Sequence, residues 1–361
     1  MKVQGQHWRA IREAADGSAV EVIDQRLLPH QFTLARLSSL GEARSAIADM
    51  TVRGAPLIGV TAAYGLALAA RQDAADAALS AAATQLKSAR PTAVNLAWAV
   101  DRLMTSLRGL PPEARAAHAW ALARDLAEND VQTNLAIGRH GLSLLRRLKP
   151  RRPGPLQVLT HCNAGWIATV DGGTALSPLY QAADAGLDIH VWVDETRPRN
   201  QGAALTAWEL REHGIAHTVV ADNAGGHLMQ HGQVDAVIVG CDRVTARGDV
   251  CNKIGTYLKA LAAWDNGVPF YVAMPLSTLD MAVDEGLAGI PIENRDGREV
   301  THIRGRLADG REAEVQLVPD GVRAANPAFD VTPARLVSAL ISERGVVPAT
   351  PEGIQSLEPW R

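Results

Sequence analysis

Cysteine is scarce in this 361-residue chain: Cys162, Cys241 and Cys251 are the only three, and they are unevenly spaced. Such a set supplies no disulfide framework and suits free thiols in a reducing compartment. Neither a CxxC pair nor HExxH occurs, and the histidines lack metal-ligand spacing, so no metal and no cofactor is expected. Neither sign of charge is in excess. With 36 Lys and Arg against 39 Asp and Glu, scattered along the chain, no basic footprint marks a nucleic-acid partner. No apolar run approaches the ~20 residues needed to cross a bilayer. Lys2, Gln4, Gln6 and Arg9 stand where a signal peptide needs an apolar core. A soluble, cytoplasmic protein without membrane partners is expected. Internal repeats and low-complexity tracts are also missing.

What is present divides in two. Lys149-Pro150-Arg151-Arg152-Pro153-Gly154-Pro155 cannot continue a helix and predicts a boundary, with one domain over 1–150 and another over 151–361. Before it, short strands near 8–11 and 20–24 flank a turn at Asp16-Gly17. From Leu34 onward the pattern is helical: 41–50, 57–69, 73–87, 92–107 (with Pro91 at the start) and 113–148, the last bent near Gly138 and Gly141. Beyond the boundary, strands at 156–160, 188–193, 217–221, 234–240 and 269–273 alternate with helical segments at 177–185, 203–213, 228–231 and 253–266. That rhythm predicts a parallel α/β sheet. Gly172-Gly173 and Gly225-Gly226 read as tight turns, 304–325 as a hairpin around Asp309-Gly310, and 332–343 as a final helix. The fold class is α/β: a mostly helical first half with a short β start, then a parallel sheet. No GxGxxG follows the first strand, which counts against a nucleotide-dependent dehydrogenase.

Polar residues collect where such a sheet places its loops, in the crevice beyond the carboxyl ends of the strands. Thr160-His161-Cys162-Asn163 ends the first strand, and a thiol there with a lowered pKa would serve as nucleophile or base. The plainer alternative is a small buried hydrophobe. The run from Asp194 to Gly202 follows the second strand and reads either as a solvated loop or as part of the same crevice. Val234–Val239 delivers Gly240, Cys241, Asp242 and Arg243, and Asn252-Lys253 lead into a segment with Ile254, Leu258, Leu261 and Ala262 on one side. Here an acid at a strand end and a Lys at a helix start would protonate a sugar oxygen and hold a phosphate; alternatively Asp242 and Arg243 form a structural ion pair. In the helical half, Arg53-Gly54-Ala55-Pro56 offers a planar fork and helix-start N–H groups to an anion, and Arg90 joins it. Converging arginines with one Lys point to a phosphorylated small molecule.

Taken together, Val52–Pro56, Arg90–Leu96, Thr160–Asn163, Asp194–Pro198, Gly240–Asp242, Asp249–Tyr257 and Asn326–Pro333 resemble the methylthioribose-1-phosphate isomerase family, in order and over nearly the full chain. The wider superfamily includes ribose-1,5-bisphosphate isomerases and regulatory subunits of the translation-initiation guanine-nucleotide exchange factor. The resemblance implies a helical N-terminal domain joined to a Rossmann-like domain, a homodimer, and an aldose–ketose isomerisation of 5-methylthioribose 1-phosphate in methionine salvage. It implies Cys162 and Asp242 as the catalytic pair. Arg53, Gly54, Ala55, Arg90, Gln201, Asn252 and Lys253 fall on substrate-binding positions. Two departures stand out: Cys241 replaces the usual Ala before the catalytic Asp, and the 304–325 excursion is long. Trp166, Leu176 and Met229 are candidates for an apolar wall around the C5 substituent. Another pentose phosphate (5-deoxyribose 1-phosphate or ribose 1,5-bisphosphate) and a non-catalytic regulatory protein of the same fold are the competing readings.

Overall fold

A computed structural model describes residues 1–90 and 94–358; the helix starts read at Pro91 and Thr92 lie outside the described residues. The chain opens with a two-stranded ribbon, Lys2–Val3 with Gln6–His7, and a three-stranded antiparallel sheet, Ile11–Glu13, Val20–Ile23 and Leu34–Leu37. The third strand occupies the place where the helical pattern was expected to begin. Five helices follow: α1 (Leu40–Ala48), α2 (Ala55–Gln72), α3 (Asp76–Ala89), α4 (Val94–Leu107) and α5 (Pro112–Leu145).

Helix α2 is the axis of this half. Every residue from Leu57 to Ala70 is buried, because Ala, Gly, Val and Leu leave no polar stripe and let the other four helices close around it. The long α5 runs unbroken through Gly138 and Gly141, where a bend was expected. These glycines make room instead: a Cβ at Gly138 would sit 2.0 Å from Gln181 Nε2, and one at Gly141 would sit 2.3 Å from Pro178 Cγ. Helix α6 (Ser177–Asp184) therefore lies directly on α5.

The second half is built on a seven-stranded sheet, numbered here in chain order: β1 (Leu156–Thr160), β2 (Ile189–Asp194), β3 (Ala216–Val220), β4 (Ala236–Val239), β5 (Phe270–Ala273), β6 (Ala339–Ser342) and β7 (Gly345–Val347). Across the sheet the order is β7-β6-β5-β4-β1-β2-β3, with β1 to β6 parallel and β7 antiparallel at the edge. The chain fills one side outward from β1 and then returns to fill the other from β4. The carboxyl ends of β1 and β4 thus flank the point where the winding reverses, and a crevice opens there. Helices α7 (Ala207–His213), α8 (Ala224–Gln230) and α9 (Thr256–Asp265) connect the strands. A second sheet, ordered Leu279–Asp280, Arg243–Thr245, Val250–Lys253, Phe329–Thr332, leans over the crevice from the β4 side.

Several expectations need correction. The final helix over 332–343 is absent; Ala334–Leu336 is one 3-10 turn and Ala339–Ser342 is β6, buried along its whole length. Gly225 and Gly226 are helical, within α8. The helix expected from Lys253 begins at Thr256, and it buries Thr256, Lys259, Ala260 and Ala263, not the Leu258 side, since Leu258 is 58 % exposed. The excursion is a hairpin as expected, His302–Arg306 paired with Glu312–Gln316. One apolar cluster runs from the helices into the sheet, joining Leu57, Ile137 and Leu176 to Val158 and Ile341.

Replacing Gly141 with Val forces a side chain into Pro178, and overpacking of this kind costs about 1–3 kcal/mol. Urea unfolding of Gly141→Val should show a lower midpoint at an unchanged m value; an unchanged midpoint would mean that α5 and α6 separate freely.

Candidate active site

The crevice at the β1–β4 reversal gathers residues from both halves. Arg53, Gly54, Ala55, Arg90, Cys162, Gln201, Asp242, Asn252 and Lys253 all line one cavity. Each of the nine residues singled out from the sequence is there, although they are spread over 201 positions.

Cys162 follows β1 with φ +66°, a left-handed conformation that a residue with a side chain adopts only when its surroundings hold it. Those surroundings are specific. Thr196 Oγ1 accepts from the Cys162 amide at 2.8 Å, Thr206 Oγ1 donates to its carbonyl at 2.7 Å, and its thiol donates to Gln201 Oε1 at 3.3 Å. Across the crevice, Asp242 follows β4, and its amide donates to the Cys251 carbonyl at 2.9 Å. Arg243 pairs with Asp280 at 3.1 Å and Asp242 lines the cavity, which favours the site reading of Asp242 over the alternative of a structural Asp242–Arg243 ion pair.

Lys253 belongs to the strand Val250–Lys253 and not to a helix start. Its ammonium donates to the Ala328 carbonyl at 3.1 Å and lies 4.3 Å from the centre of the Phe329 ring. Asn252 is buried beside it and donates to Thr256 Oγ1 at 3.0 Å. From the helical half, Gly54 caps α2 at φ +93° with Pro56 in the first turn, and a Cβ there would stand 2.1 Å from the Ala168 carbonyl. Only glycine lets the amino end of α2 approach so closely. Arg53 is buried, with Nη1 on Asn163 Oδ1 and Nη2 on the Asn163 carbonyl, both at 2.5 Å.

Burial dominates the electrostatics. It pushes the Cys162 thiol up, and the opposing pull of Arg53 and Lys253 does not win. A lowered thiol pKa was expected here, so this is a correction. Burial also raises the Asp242 carboxyl, against Lys253, Arg90 and Arg53, and it depresses Lys253, against Cys162 and Asp242. The two further thiols of the cavity, Cys241 and Cys251, are both pushed up to about 12 by burial. Neither is a nucleophile at neutral pH.

Four contributors were not foreseen as site residues. Asn163 and Glu209 anchor Arg53: Glu209 is buried, accepts from Asn163 Nδ2 and the Trp166 amide, both at 2.8 Å, and from the Tyr180 hydroxyl. The one legible signal was an acid between Trp208 and Leu210 on a helix that buries that face. Arg295 and Arg199 line the cavity mouth and close an alternating series of charges, Arg90–Glu293–Arg295–Glu299–Arg199. Burial works against the Glu299 carboxylate, but its hydrogen bonds from Arg295 and Arg199 hold it down at about 2. The apolar wall also differs from expectation. Trp166, Leu176 and Met229 are packed in the core, and Met50, Ile58, Ile290, Pro291 and Phe329 face the cavity in their place.

Among the described residues, one group has the composition of a cation site: His161, Asp194 and Asp222. Lys259 already places its ammonium 3.1 Å from Asp194 Oδ2, which satisfies that oxygen with a protein cation.

Residues 51–349 match the model of the Initiation factor 2 subunit family. A methylthioribose-1-phosphate isomerase from Methylorubrum populi is 61 % identical over 361 residues, covering 100 % of this chain and 99 % of that protein. The chain belongs to the methylthioribose-1-phosphate isomerase family. Among solved structures, the 5-methylthioribose 1-phosphate isomerase from Pyrococcus horikoshii OT3 superposes with a TM-score of 0.84 at 39 % identity, covering 98 % of this chain and 96 % of that one. Subunit delta of the translation initiation factor eIF-2B from A. fulgidus superposes at 0.79 with 38 % identity, covering 97 % and 99 %. Membership of the isomerase family gives the buried thiol and carboxyl of this crevice a chemical setting that the shared scaffold alone does not.

Within this family member, Glu209→Gln should place an amide N–H against donors at the root of Arg53. A buried donor left unsatisfied costs about 1–3 kcal/mol. The variant should unfold at lower urea, and KM for a sugar 1-phosphate should rise more than kcat falls. If kcat falls while KM is unchanged, Glu209 does not act through Arg53.

Proposed function

We propose that this chain interconverts 5-methylthioribose 1-phosphate and 5-methylthioribulose 1-phosphate, a step of methionine salvage. The observation that carries the reading is that Cys162 and Asp242 line one cavity together with Arg53, Arg90, Lys253 and the amides Gln201 and Asn252. Arg53, Arg90 and Lys253, with the amino end of α2 at Gly54-Ala55, hold the phosphate; Gln201 and Asn252 fix the hydroxyls. The apolar side formed by Met50, Ile58, Ile290, Pro291 and Phe329 favours a methylthio group at C5 over a second phosphate.

The substrate is a closed furanose with phosphate on the anomeric oxygen, so its ring cannot open through a free hemiacetal. Burial raises the Asp242 carboxyl and so favours its acid form, which gives its proton to the ring oxygen as the ring C1–O bond breaks. The resulting electron deficiency at C1 is met by hydrogen from C2. The 2-hydroxyl then becomes the carbonyl, and its proton returns to the Asp242 carboxylate, so the cycle closes with the phosphate ester intact. The raised Cys162 thiol is a poor base at neutral pH, and its role is to orient the 2-hydroxyl. A hydride shift from C2 to C1 suits these protonation states better than proton abstraction by a thiolate. Closing the helical half over the sheet edge keeps water from the cationic intermediate.

The same reading makes the protein a cytoplasmic homodimer. It also divides the chain near residue 150 into a helical domain and a Rossmann-like catalytic domain, with the substrate gripped between Arg53 of the first and Lys253 of the second.

Cys162→Ser and Asp242→Asn should each abolish turnover in a coupled assay while the folded variants still bind substrate; near-normal kcat in either would remove that residue from the chemistry. With C2-deuterated substrate, deuterium should be retained fully at C1, and loss to solvent would support the thiolate route instead. Because the acid form of Asp242 does the work, kcat/KM should fall as pH rises through its raised pKa. Depressed Lys253 loses its charge in the same direction. An alkaline plateau in the pH profile would contradict both assignments.

A further inference from the structure

Behind Cys162 the preceding side chain is wholly enclosed. His161 Nδ1 lies 2.9 Å from Asp194 Oδ2, and Nε2 lies 2.8 Å from the backbone carbonyl oxygen of Ile254. A carbonyl oxygen only accepts, so Nε2 carries a hydrogen. Asp194 Oδ2 also receives the Lys259 ammonium at 3.1 Å, which keeps Asp194 a carboxylate, so Nδ1 carries a hydrogen as well. Two acceptors on opposite sides of one ring leave no neutral tautomer that satisfies both.

The surrounding charges agree. Asp222 Oδ1 lies 3.9 Å from Nδ1, and its carboxylate accepts from the Thr196 and Arg197 amides. Asp330 accepts from the Gly255 and Tyr257 amides on the other side, and burial raises its carboxyl against those two hydrogen bonds. Asp194 and Asp222 thus lie on the Nδ1 side of the ring, with the Lys259 ammonium on Asp194, while Cys162 and Lys253 line the cavity beside them. A neutral ring would leave these two carboxylates to one ammonium.

The placement gives that charge a task. His161 sits at the end of β1, one residue before Cys162. Ile254 follows Lys253, and the Ile254 amide and the Lys253 ammonium both reach the Ala328 carbonyl. The bond from Nε2–H to Ile254 is therefore a direct tie between the strand end that bears Cys162 and the corner that bears Asn252 and Lys253. We propose that His161 carries a hydrogen on both ring nitrogens and acts as a positioning residue, setting Lys253 against Cys162 for the isomerisation. This rests on the isomerase reading for its effect on rate, and on hydrogen-bond geometry alone for the state of the ring.

The test has two arms. In the full-length protein labelled with 15N-histidine, the His161 ring should show two protonated nitrogens and two downfield N–H protons at neutral pH. A bare ring nitrogen at neutral pH overturns the proposal. The second arm compares His161→Gln with His161→Asn, because a Gln amide reaches the Nε2 position and can still donate to Ile254, whereas Asn reaches only the Nδ1 position. His161→Asn should lose about 100-fold in kcat/KM, the scale of a misplacement of about 1 Å, with KM rising as Lys253 shifts. His161→Gln should recover about tenfold of that loss. Equal losses in both variants, or no loss in His161→Asn, overturn the positioning role. Wild-type protein inactive on 5-methylthioribose 1-phosphate would strike the isomerase reading and leave the spectroscopic arm standing, and that arm needs no variant to fold.

Discussion

The reversal of winding between β1 and β4 is the constraint from which the rest follows. Parallel neighbours cannot be joined by a tight turn, so each connection from a strand's carboxyl end must leave the sheet. Where the chain departs to opposite sides from two adjacent strands, nothing fills the gap between the departures. In this protein those strands end at Thr160 and Val239. Just past those ends stand Cys162 and Asp242, and both line the gap. Their encounter is a property of the topology, and the loops only refine it.

Refinement comes from three directions. The Thr196 and Thr206 hydroxyls hold Cys162 in a left-handed backbone state that it would not keep alone. The leaning second sheet brings Asn252 and Lys253 down from the β4 side. The helical half supplies Arg53, whose two forked N–H groups both end on Asn163, which is in turn fixed by Glu209. The site is thus assembled from segments that have no local reason to meet. A low-dielectric enclosure then pushes acid and thiol toward their neutral forms and strengthens every charge left inside.

Much of this was legible beforehand. The strand from Leu156 to Thr160 was bounded correctly because β-branched and apolar residues stop at a polar word, and four other parallel strands were located to within two residues at either end. All nine candidate residues line one cavity because their motifs sit at strand ends and helix ends, where α/β sheets place their crevices. What failed had physical causes. The run through Ala339–Ser342 is buried on both faces and lacks alternation, so its Ala and Leu content reads as helix; only pairing with β5 makes it a strand. Gly138 and Gly141 look like a helix defect in one dimension and are a packing surface in three. The Cys162 thiol looks activated beside polar neighbours, but the desolvation that overrides them comes from distant segments. Glu209 and Arg295 act across long separations that no local pattern encodes.

The place of β6 in the sheet has a bearing on how the protein is made. It docks beside β5 from within the last stretch of chain, after the cavity-lining segments have already left the ribosome. Until residues 339–347 emerge, the nascent chain displays β5 as a bare, wholly apolar edge able to pair with a neighbour's strand. The helical bundle meanwhile has all its own residues and can collapse early. Biogenesis therefore separates two moments, an early one in which the arginine-bearing bundle forms and a late one in which β6 seals the exposed margin. The interval between them is when the growing polypeptide most needs shielding from its own kind.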